Sequence, residues 1–118
     1  MADLSLSRSK ENIEEIIDNK FGETNNLLTE NGYQILPGGL IMQWGTIPSV
    51  IGNNTYSDIT YPIPFPTATL NAQVSGYTEG DDTADVAVQV TSFTASTLRT
   101  LLNTTGGTHK VMWFAIGY

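Results

Sequence analysis

The apolar residues near the start of the chain are spaced as on one face of a helix. Between Ser9 and Phe21 they occupy positions 13, 16, 17 and 21, the i, i+3, i+4 and i+8 spacing of an amphipathic helix. Ser9 is a suitable N-cap, Glu11 lies in the first turn where the helix dipole favours a carboxylate, and Gly22 can end the helix in the left-handed conformation. The pattern therefore predicts a short helix over residues 9–21.

This predicted helix carries an apolar stripe that needs a partner, because a helix of this length is only marginally stable alone. The stripe consists of Ile13, Ile16, Ile17 and Phe21. It could pack on the remainder of its own chain, or it could meet copies of itself around a symmetry axis. Isoleucine-rich seams of this kind favour coiled coils of three helices. The stripe spans fewer than two full heptads, so the pattern by itself leaves both alternatives open.

From Gly32 onward the helical spacing gives way to short apolar runs separated by Gly, Pro, Thr and Asn, a pattern typical of all-β domains. A turn at residues 37–39 should join the first two runs as a hairpin. Residues 96–102 suit either a short helix or a strand, and we expect a strand. The other predicted strands are Tyr33–Leu36, Leu40–Trp44, Ile59–Phe65, Leu70–Tyr77, Asp85–Phe93 and Val111–Tyr118.

Alternation within these runs predicts which side chains face the core. The three valines of the 85–93 run alternate with small or polar residues, as in a half-buried strand. Trp44 and Trp113 lie in runs whose residues two positions away are apolar or small, so both are predicted to be core residues. In Tyr61–Pro66 every second residue is proline, which predicts an edge strand that ends a sheet or faces a neighbouring chain.

Composition and charge narrow the range of partners. The 118 residues are enough for one domain. Five basic and twelve acidic side chains give a net charge of −7, which opposes binding to nucleic acid or anionic lipid. No apolar run is long enough to span a bilayer, and the first residues lack the apolar segment of a secretory signal. We therefore expect a soluble chain that is not embedded in a membrane.

The sequence offers little for catalysis or metal binding. It has no cysteine and a single histidine, His109, which follows two glycines and is expected to be a solvated turn residue. Four carboxylates cluster in one predicted loop, at Glu79, Asp81, Asp82 and Asp85. Their spacing differs from that of an EF-hand, so a solvated hairpin loop is favoured over a calcium site. We expect no cofactor, no metal and no enzymatic activity.

Three stretches of the chain are more specific than its overall composition. They are LPGGLIMQWG at residues 36–45, ITYPIPFP at 59–66 and WFAIGY at 113–118. In this order they resemble motifs of the C-terminal tip domain of bacteriophage and prophage tail fibres, and the similarity covers residues 32–118. The resemblance implies a homotrimeric fibre end with an antiparallel β-sandwich in each protomer. It also implies attachment to a bacterial surface receptor, commonly a polysaccharide or lipopolysaccharide, and no enzymatic activity.

The resemblance assigns roles to the two parts of the chain. Residues 1–31 are expected to form a helical stem segment and its connection, and residues 32–118 the β-sandwich tip. The isoleucine stripe is then expected to close the end of a trimeric stem. The partners would be two further copies of the chain, the rest of the fibre and the bacterial glycan, with the tip at the distal end of the fibre on the virion.

Receptor contact is expected on loops, because loops held on a rigid sheet can change without unfolding it. Amides and carboxylates hydrogen-bond sugar hydroxyls, and tyrosine offers a flat apolar face with a polar tip. The first candidates are Asn53, Asn54 and Tyr56, and the second are Tyr77, Asp81, Asp82 and His109. The same residue types are common in ordinary β-turns, which explains each one singly just as well.

Two alternatives to a receptor-binding tip remain open. The domain could be a structural cap that ends the fibre while another segment binds the host. It could also be a polysaccharide depolymerase with catalytic carboxylates among Asp58, Asp81, Asp82 and Asp85. A binding tip would retain host polysaccharide, a cap would trimerise without binding it, and a depolymerase would release reducing ends.

Overall fold

The computed structural model describes residues 25–51, 54–77, 86–104 and 108–118. Within these ranges the chain forms strands that pair only in antiparallel fashion, which confirms the all-β prediction. The strands are β1 (Asn26–Leu27), β2 (Gly32–Ile35), β3 (Ile41–Ile51), β4 (Thr55–Thr60), β5 (Thr69–Tyr77), β6 (Val86–Phe93), β7 (Thr97–Thr104) and β8 (Thr108–Gly117). The helix predicted over residues 9–21 lies outside the described residues. None of the helices in the described ranges has the length and hydropathy to cross a membrane.

The strands form two sheets that pack face to face. The large sheet has the strand order β1-β2-β3-β8-β5, and the small sheet has the order β4-β7-β6. One buried cluster joins Ile41 and Trp113 of the large sheet to Ile59 and Leu98 of the small sheet. The core therefore lies between the sheets, and each sheet keeps one face directed outward.

Most strand predictions are confirmed with shifted ends. Residues 97–104 form a strand, as expected, and not a helix. The three valines of β6 face the core and are half-buried, as their alternation predicted. The turn at residues 37–39 joins β2 to β3, with the Leu36 N–H donating to the Leu40 carbonyl oxygen at 2.8 Å. Gly38 and Gly39 both have a φ of 95°, a conformation that favours glycine.

The two tryptophans lie on opposite faces of the large sheet. Trp113 is 4% exposed and belongs to the core, as predicted. Trp44 is half-buried on the outer face, where its Nε1 donates to the Thr29 carbonyl oxygen at 2.9 Å, so its prediction as a core residue is wrong. The reason is the register, which pairs Trp44 with Phe114 and Gly45 with Trp113. A Cβ at Gly45 would overlap the Trp113 indole, so a glycine at this position makes room for the buried ring.

The segment between the predicted strands Leu40–Trp44 and Ile59–Phe65, where loop residues were expected, is mostly strand. β3 continues to Ile51, and β4 begins at Thr55. The ladder between β3 and β8 shifts register between Ile47 and Val50, and Pro48 lies at this irregularity. A proline cannot donate to a ladder, but a bulge leaves its position unpaired. This is how a strand continues through a residue that normally ends one.

The proline-rich segment Tyr61–Pro66 is not a strand, contrary to the prediction for Ile59–Phe65. β4 lies at an edge of the small sheet but ends at Thr60. The segment after it is fixed by its remaining donors, since the Tyr61 N–H donates to the Ser96 carbonyl at 3.0 Å and the Phe65 N–H to the Ala95 carbonyl at 2.7 Å. Both rings are buried and contact each other edge to face, with centroids 5.0 Å apart. The segment therefore closes one side of the core.

A buried glutamine holds the middle of this segment. Gln43 of β3 is fully buried. Its Nε2 donates to the Ile63 carbonyl oxygen at 2.8 Å, and its Oε1 accepts from the Ile63 N–H at 3.1 Å. A side-chain amide is suited to this task because it carries a donor and an acceptor side by side, like a neighbouring strand. Gln43 thus replaces the ladder partner that the proline-rich segment lacks.

Candidate functional site

The outward face of the small sheet is polar and carries side chains suited to a hydroxyl-rich ligand. We call it the amide face, and it consists of Tyr56, Asp58, Gln89, Arg99, Leu101 and Asn103. Across the three strands Tyr56 pairs with Leu101, and Leu101 pairs with Gln89. The β7 residues between these positions are buried. Strand alternation therefore directs the amide face away from the core.

Tyr56, Arg99 and Asp58 form a contiguous exposed group. The guanidinium carbon of Arg99 lies 4.7 Å from the centroid of the Tyr56 ring. Its Nε lies 3.5 Å from Asp58 Oδ1, with both side chains more than half exposed. Exposed pairs of this kind add little to stability. Their effect is to hold the Tyr56 ring and a balanced pair of charges in one place on the surface.

A shallow depression of about 90 Å³ lies beside this group, lined by Ala87, Gln89, Leu101 and Asn103. The two amides offer donors and acceptors, and Leu101 offers an apolar floor. A sugar ring has the matching combination of hydroxyl groups and an apolar face. The depression and the Tyr56 group together can therefore contact adjacent sugar units, with the ring of Tyr56 at one end.

A larger groove of about 410 Å³ lies on the other side of β4 and shares Asp58 with the amide face. Its polar lining includes Asn31, Thr46 and Thr60, and its apolar lining includes Pro48 and Pro62. Asn31 Oδ1 accepts a hydrogen bond from the Thr46 N–H at 3.0 Å, so one wall of the groove is fixed by the chain itself. The groove extends the amide face toward the edge of the large sheet.

The predicted receptor residues are distributed over several places. Asn54 is exposed and has a φ of 56°, which fits a turn before β4. Tyr56 is 54% exposed and lies on β4, so the expectation that it is a loop residue is wrong. Tyr77 lies at the end of β5 on the large sheet, with Lys110 Nζ 5.6 Å from its ring centroid. Asn53, Asp81 and Asp82 lie outside the described residues.

His109 is buried, and its prediction as a solvated turn residue and receptor contact is wrong. It is 1% exposed and lies on β8, paired with Val50 of β3. Its Nε2 lies 3.1 Å from Thr104 Oγ1, which is also buried. The glycines before it indicated a turn, but β8 already starts at Thr108. His109 is therefore part of the structural framework and not of the surface.

The described residues include no cluster that suits metal binding. No group of three or more His, Cys, Asp or Glu side chains that could hold a metal occurs among them. The loop with Glu79, Asp81, Asp82 and Asp85 lies outside the described ranges. Burial raises the pKa of the Tyr61 hydroxyl, partly opposed by its hydrogen bond with Thr69, so this phenol stays neutral inside the core. The side chains of the amide face can hydrogen-bond to a ligand and stack against it.

The sequence prediction missed Gln89, Arg99, Leu101 and Asn103 as members of this surface. A signal for the β7 residues was present, because Arg99, Leu101 and Asn103 are two residues apart and the residues between them are apolar or small. A strand over this segment puts all three on one face. Binding residues usually lie on loops, and the prediction placed the receptor contacts there for that reason.

Comparison with known proteins identifies the family. Residues 35–118 match the family model described as tail fiber protein gp53-like, C-terminal. The chain belongs to this family. The gp53-like tail fibre domain is a component of phage-type particles, and the three sequence motifs that resembled a fibre tip all lie within the matched residues. A further relative is the uncharacterized protein MJ0347 of Methanocaldococcus jannaschii, 34% identical over 102 residues that cover 78% of this chain and 66% of that protein.

Solved structures of pyocin tail fibres share the fold of the gp53-like domain. An N-truncated R2-type pyocin tail fibre is 25% identical with a TM-score of 0.66, over 79% of this chain and 36% of the fibre chain. The R2 pyocin fibre of P. aeruginosa gives a TM-score of 0.69 at 24% identity, over 79% of this chain and 25% of that chain. An N-truncated R1-type fibre gives 0.67 at 24%, over 79% of this chain and 84% of that chain. The chain thus spans about two thirds of its archaeal relative and between 25% and 36% of the two R2 fibre chains.

Proposed function

We propose that this domain is the receptor-binding tip of a tail fibre and that the amide face binds a polyhydroxylated glycan of the bacterial surface. Membership of a tail fibre family supports the role in a fibre. The observation that carries the binding site is the row of exposed Tyr56, half-buried Leu101 and exposed Gln89 across the outward face of the small sheet, flanked by the Arg99–Asp58 pair. Its side chains match a sugar in both polar and apolar character.

The charge of the amide face favours a neutral glycan. Arg99 and Asp58 balance each other, and the other members of the face are uncharged. The chain as a whole carries a net charge of −7, which repels the phosphates of an inner lipopolysaccharide core. Neutral sugar repeats of an outer polysaccharide meet no such repulsion. The proposal assigns no catalytic activity to this surface.

Replacing Tyr56 by alanine should weaken binding of host envelope polysaccharide about tenfold, since stacking on an exposed aromatic contributes about 1–2 kcal/mol. The matched control is Tyr77→Ala, because Tyr77 is exposed to a similar degree and also has a cation over its ring. Binding of purified polysaccharide to the full chain would be measured by calorimetry, with the melting temperature of each variant recorded in parallel.

A second pair of variants tests the polar part of the face. Gln89→Ala and Asn103→Ala should each weaken the same binding, while both proteins keep their melting temperatures because the side chains are exposed. If all three face variants bind as the wild type does and Tyr77→Ala does not, the receptor surface lies on the large sheet. If the wild-type chain binds no host polysaccharide, the domain is the structural cap. Release of reducing ends would instead reveal a depolymerase.

The proposal also includes assembly as a homotrimer through the stripe of Ile13, Ile16, Ile17 and Phe21. Replacing Ile13 and Ile17 by aspartate should weaken the oligomer, because two charges per chain would then meet at the axis of the stem. Sedimentation equilibrium of both proteins at matched micromolar concentration measures this. A wild-type chain that sediments as a monomer would contradict trimerisation. Three weak glycan sites on one axis would raise avidity without any new contact.

A further inference from the structure

The outward face of the large sheet is unusually apolar for the exposed side of a sheet. We call it the apolar face, and its central residues are Met42, Trp44, Met112, Phe114 and Ile116. Met112 and Phe114 remain 46% and 39% exposed. A shallow cavity of about 330 Å³ lies over this region, lined in part by Trp44, Met112 and Phe114. Among the described residues, no layer packs over these side chains in the way that the small sheet packs over the inner face of the large sheet.

The outward face of the small sheet shows which residue types a solvent-exposed sheet carries in this molecule. Its outward positions on β4 and β7 carry Asp58, Arg99 and Asn103. On the large sheet the corresponding positions of β8 carry Met112, Phe114 and Ile116. An antiparallel sheet with one wet face normally alternates apolar with polar residues. β8 is apolar on both faces over this stretch, as expected of a strand that is covered on both sides.

The charge distribution indicates which partner could cover the apolar face. The outward positions of β2, β3, β8 and β5 include no carboxylate, although the chain has twelve acidic residues. The one charged side chain among these positions is Lys110, beside Tyr77 at one end of the face. A second copy of this chain would therefore bring an identical surface whose one charge lies at its end. Like charges that meet at a contact are destabilising, and the centre of this contact carries none.

The apolar face supplies more than half of the area that a stable contact needs. β5 has nine residues. With nine residues each from β3, β8 and β5 and the four residues of β2, at about 4.8 Å spacing and about 3.3 Å rise per residue, the outward side measures about 490 Å² before the relief of side chains is counted. Stable interfaces bury about 800 Å² per partner. The rim is formed by neutral polar residues such as Gln73 and Ser75, as expected around an apolar interface centre.

We propose that the apolar face is the contact between copies of this chain within the tip domain, with the faces directed toward a common axis. The inference rests on the self-assembly included in the proposed function, but not on glycan binding. It places a second interface on the sandwich itself, in addition to the helical stripe. Burial of Met112 and Phe114 then accompanies assembly, while the amide face, on the opposite side of the sandwich, stays open to the receptor.

The test uses the full chain and two matched variants. Phe114→Asp places a charge at the centre of the apolar face, and Phe93→Asp places one on the small sheet, where Phe93 is 45% exposed. Sedimentation should show self-association of Phe114→Asp weakened at least about tenfold, and that of Phe93→Asp unchanged. Circular dichroism checks the fold of each variant. If Phe114→Asp does not fold, Met112→Gln on the same face replaces it, with the same expected result.

The rate of methionine oxidation shows directly whether a second copy of the chain covers the apolar face. In the wild type, oxidation of Met112 by dilute peroxide should slow as protein concentration rises through the assembly range, and Phe114→Asp should remove this protection. Protection of Met112 in a chain that sediments as a monomer would mean that another segment of the same chain covers the face, which overturns the proposal. Fast oxidation in the assembled wild type overturns it too. Neither readout depends on a glycan, so the inference and the proposed receptor site fail separately.

Discussion

Replacing Trp113 by alanine should lower the free energy of unfolding by about 3–5 kcal/mol, whereas the same change at Trp44 should cost about 1–2 kcal/mol. Trp113 is buried between the sheets, in contact with the Tyr61 ring at a centroid distance of 5.6 Å. Removal of its indole leaves a cavity that strands cannot close without moving the small sheet. Trp44 lies on the outer face, so its removal leaves a dent and one unpaired carbonyl at Thr29.

Chemical unfolding followed by fluorescence measures this difference, because each variant keeps one tryptophan as a reporter. The two proteins and the wild type should be compared at the same concentration, since assembly adds to apparent stability. Equal losses for the two variants would contradict the assignment of Trp44 to the outer face. A loss confined to Trp44→Ala would reverse the assignment of both residues.

Replacing Gln43 by leucine should cost about 2–4 kcal/mol, although leucine is of similar size and more apolar. The change leaves the N–H and the carbonyl of Ile63 without their partners, and the prolines on either side restrict how far the backbone can rearrange. The matched control is Gln89→Leu on the amide face, where the side chain is exposed and the expected change is within about 0.5 kcal/mol.

Thermal unfolding by circular dichroism is sufficient to compare these two variants. Gln43→Leu should also increase proteolysis in the segment around Ile63, because its backbone would no longer be held against β3. A Gln43→Leu protein as stable as the wild type would show that burial of leucine compensates for the two lost hydrogen bonds. Gln43 would then not be the residue that fixes the proline-rich segment.

The sequence was most informative where one physical requirement dominates a segment. Alternation of three valines with polar or small residues predicted the half-buried face of β6, because a period of two has no other simple explanation. The paired glycines of residues 38–39 predicted the hairpin for the same reason, since few residues accept their backbone conformation. These predictions needed no knowledge of what packs against the segment.

The errors occurred where the answer depended on a partner strand. β3 has large apolar residues on both faces, so its sequence does not show whether Ile41 or Met42 points inward. Only the register with β8 decides this, and with it the place of Trp44. His109 comes after residues that are typical of a turn, but the pairing of its strand with β3 places it in the core. The amide face was missed for a related reason, because it is assembled from three strands distant in sequence.

The proline-rich segment also affects how closely copies of this domain can be held together without aggregating. Sheet edges attract the edges of other molecules, and that attraction causes aggregation where many copies are held close together. Beyond β4 the chain continues the edge as Tyr61–Pro66, where the N–H groups of Tyr61, Ile63 and Phe65 are all bonded internally and the three prolines have none. A foreign strand arriving along Tyr61–Pro66 would find no donor to pair with. Copies of the domain can therefore stand side by side without joining their sheets along this segment.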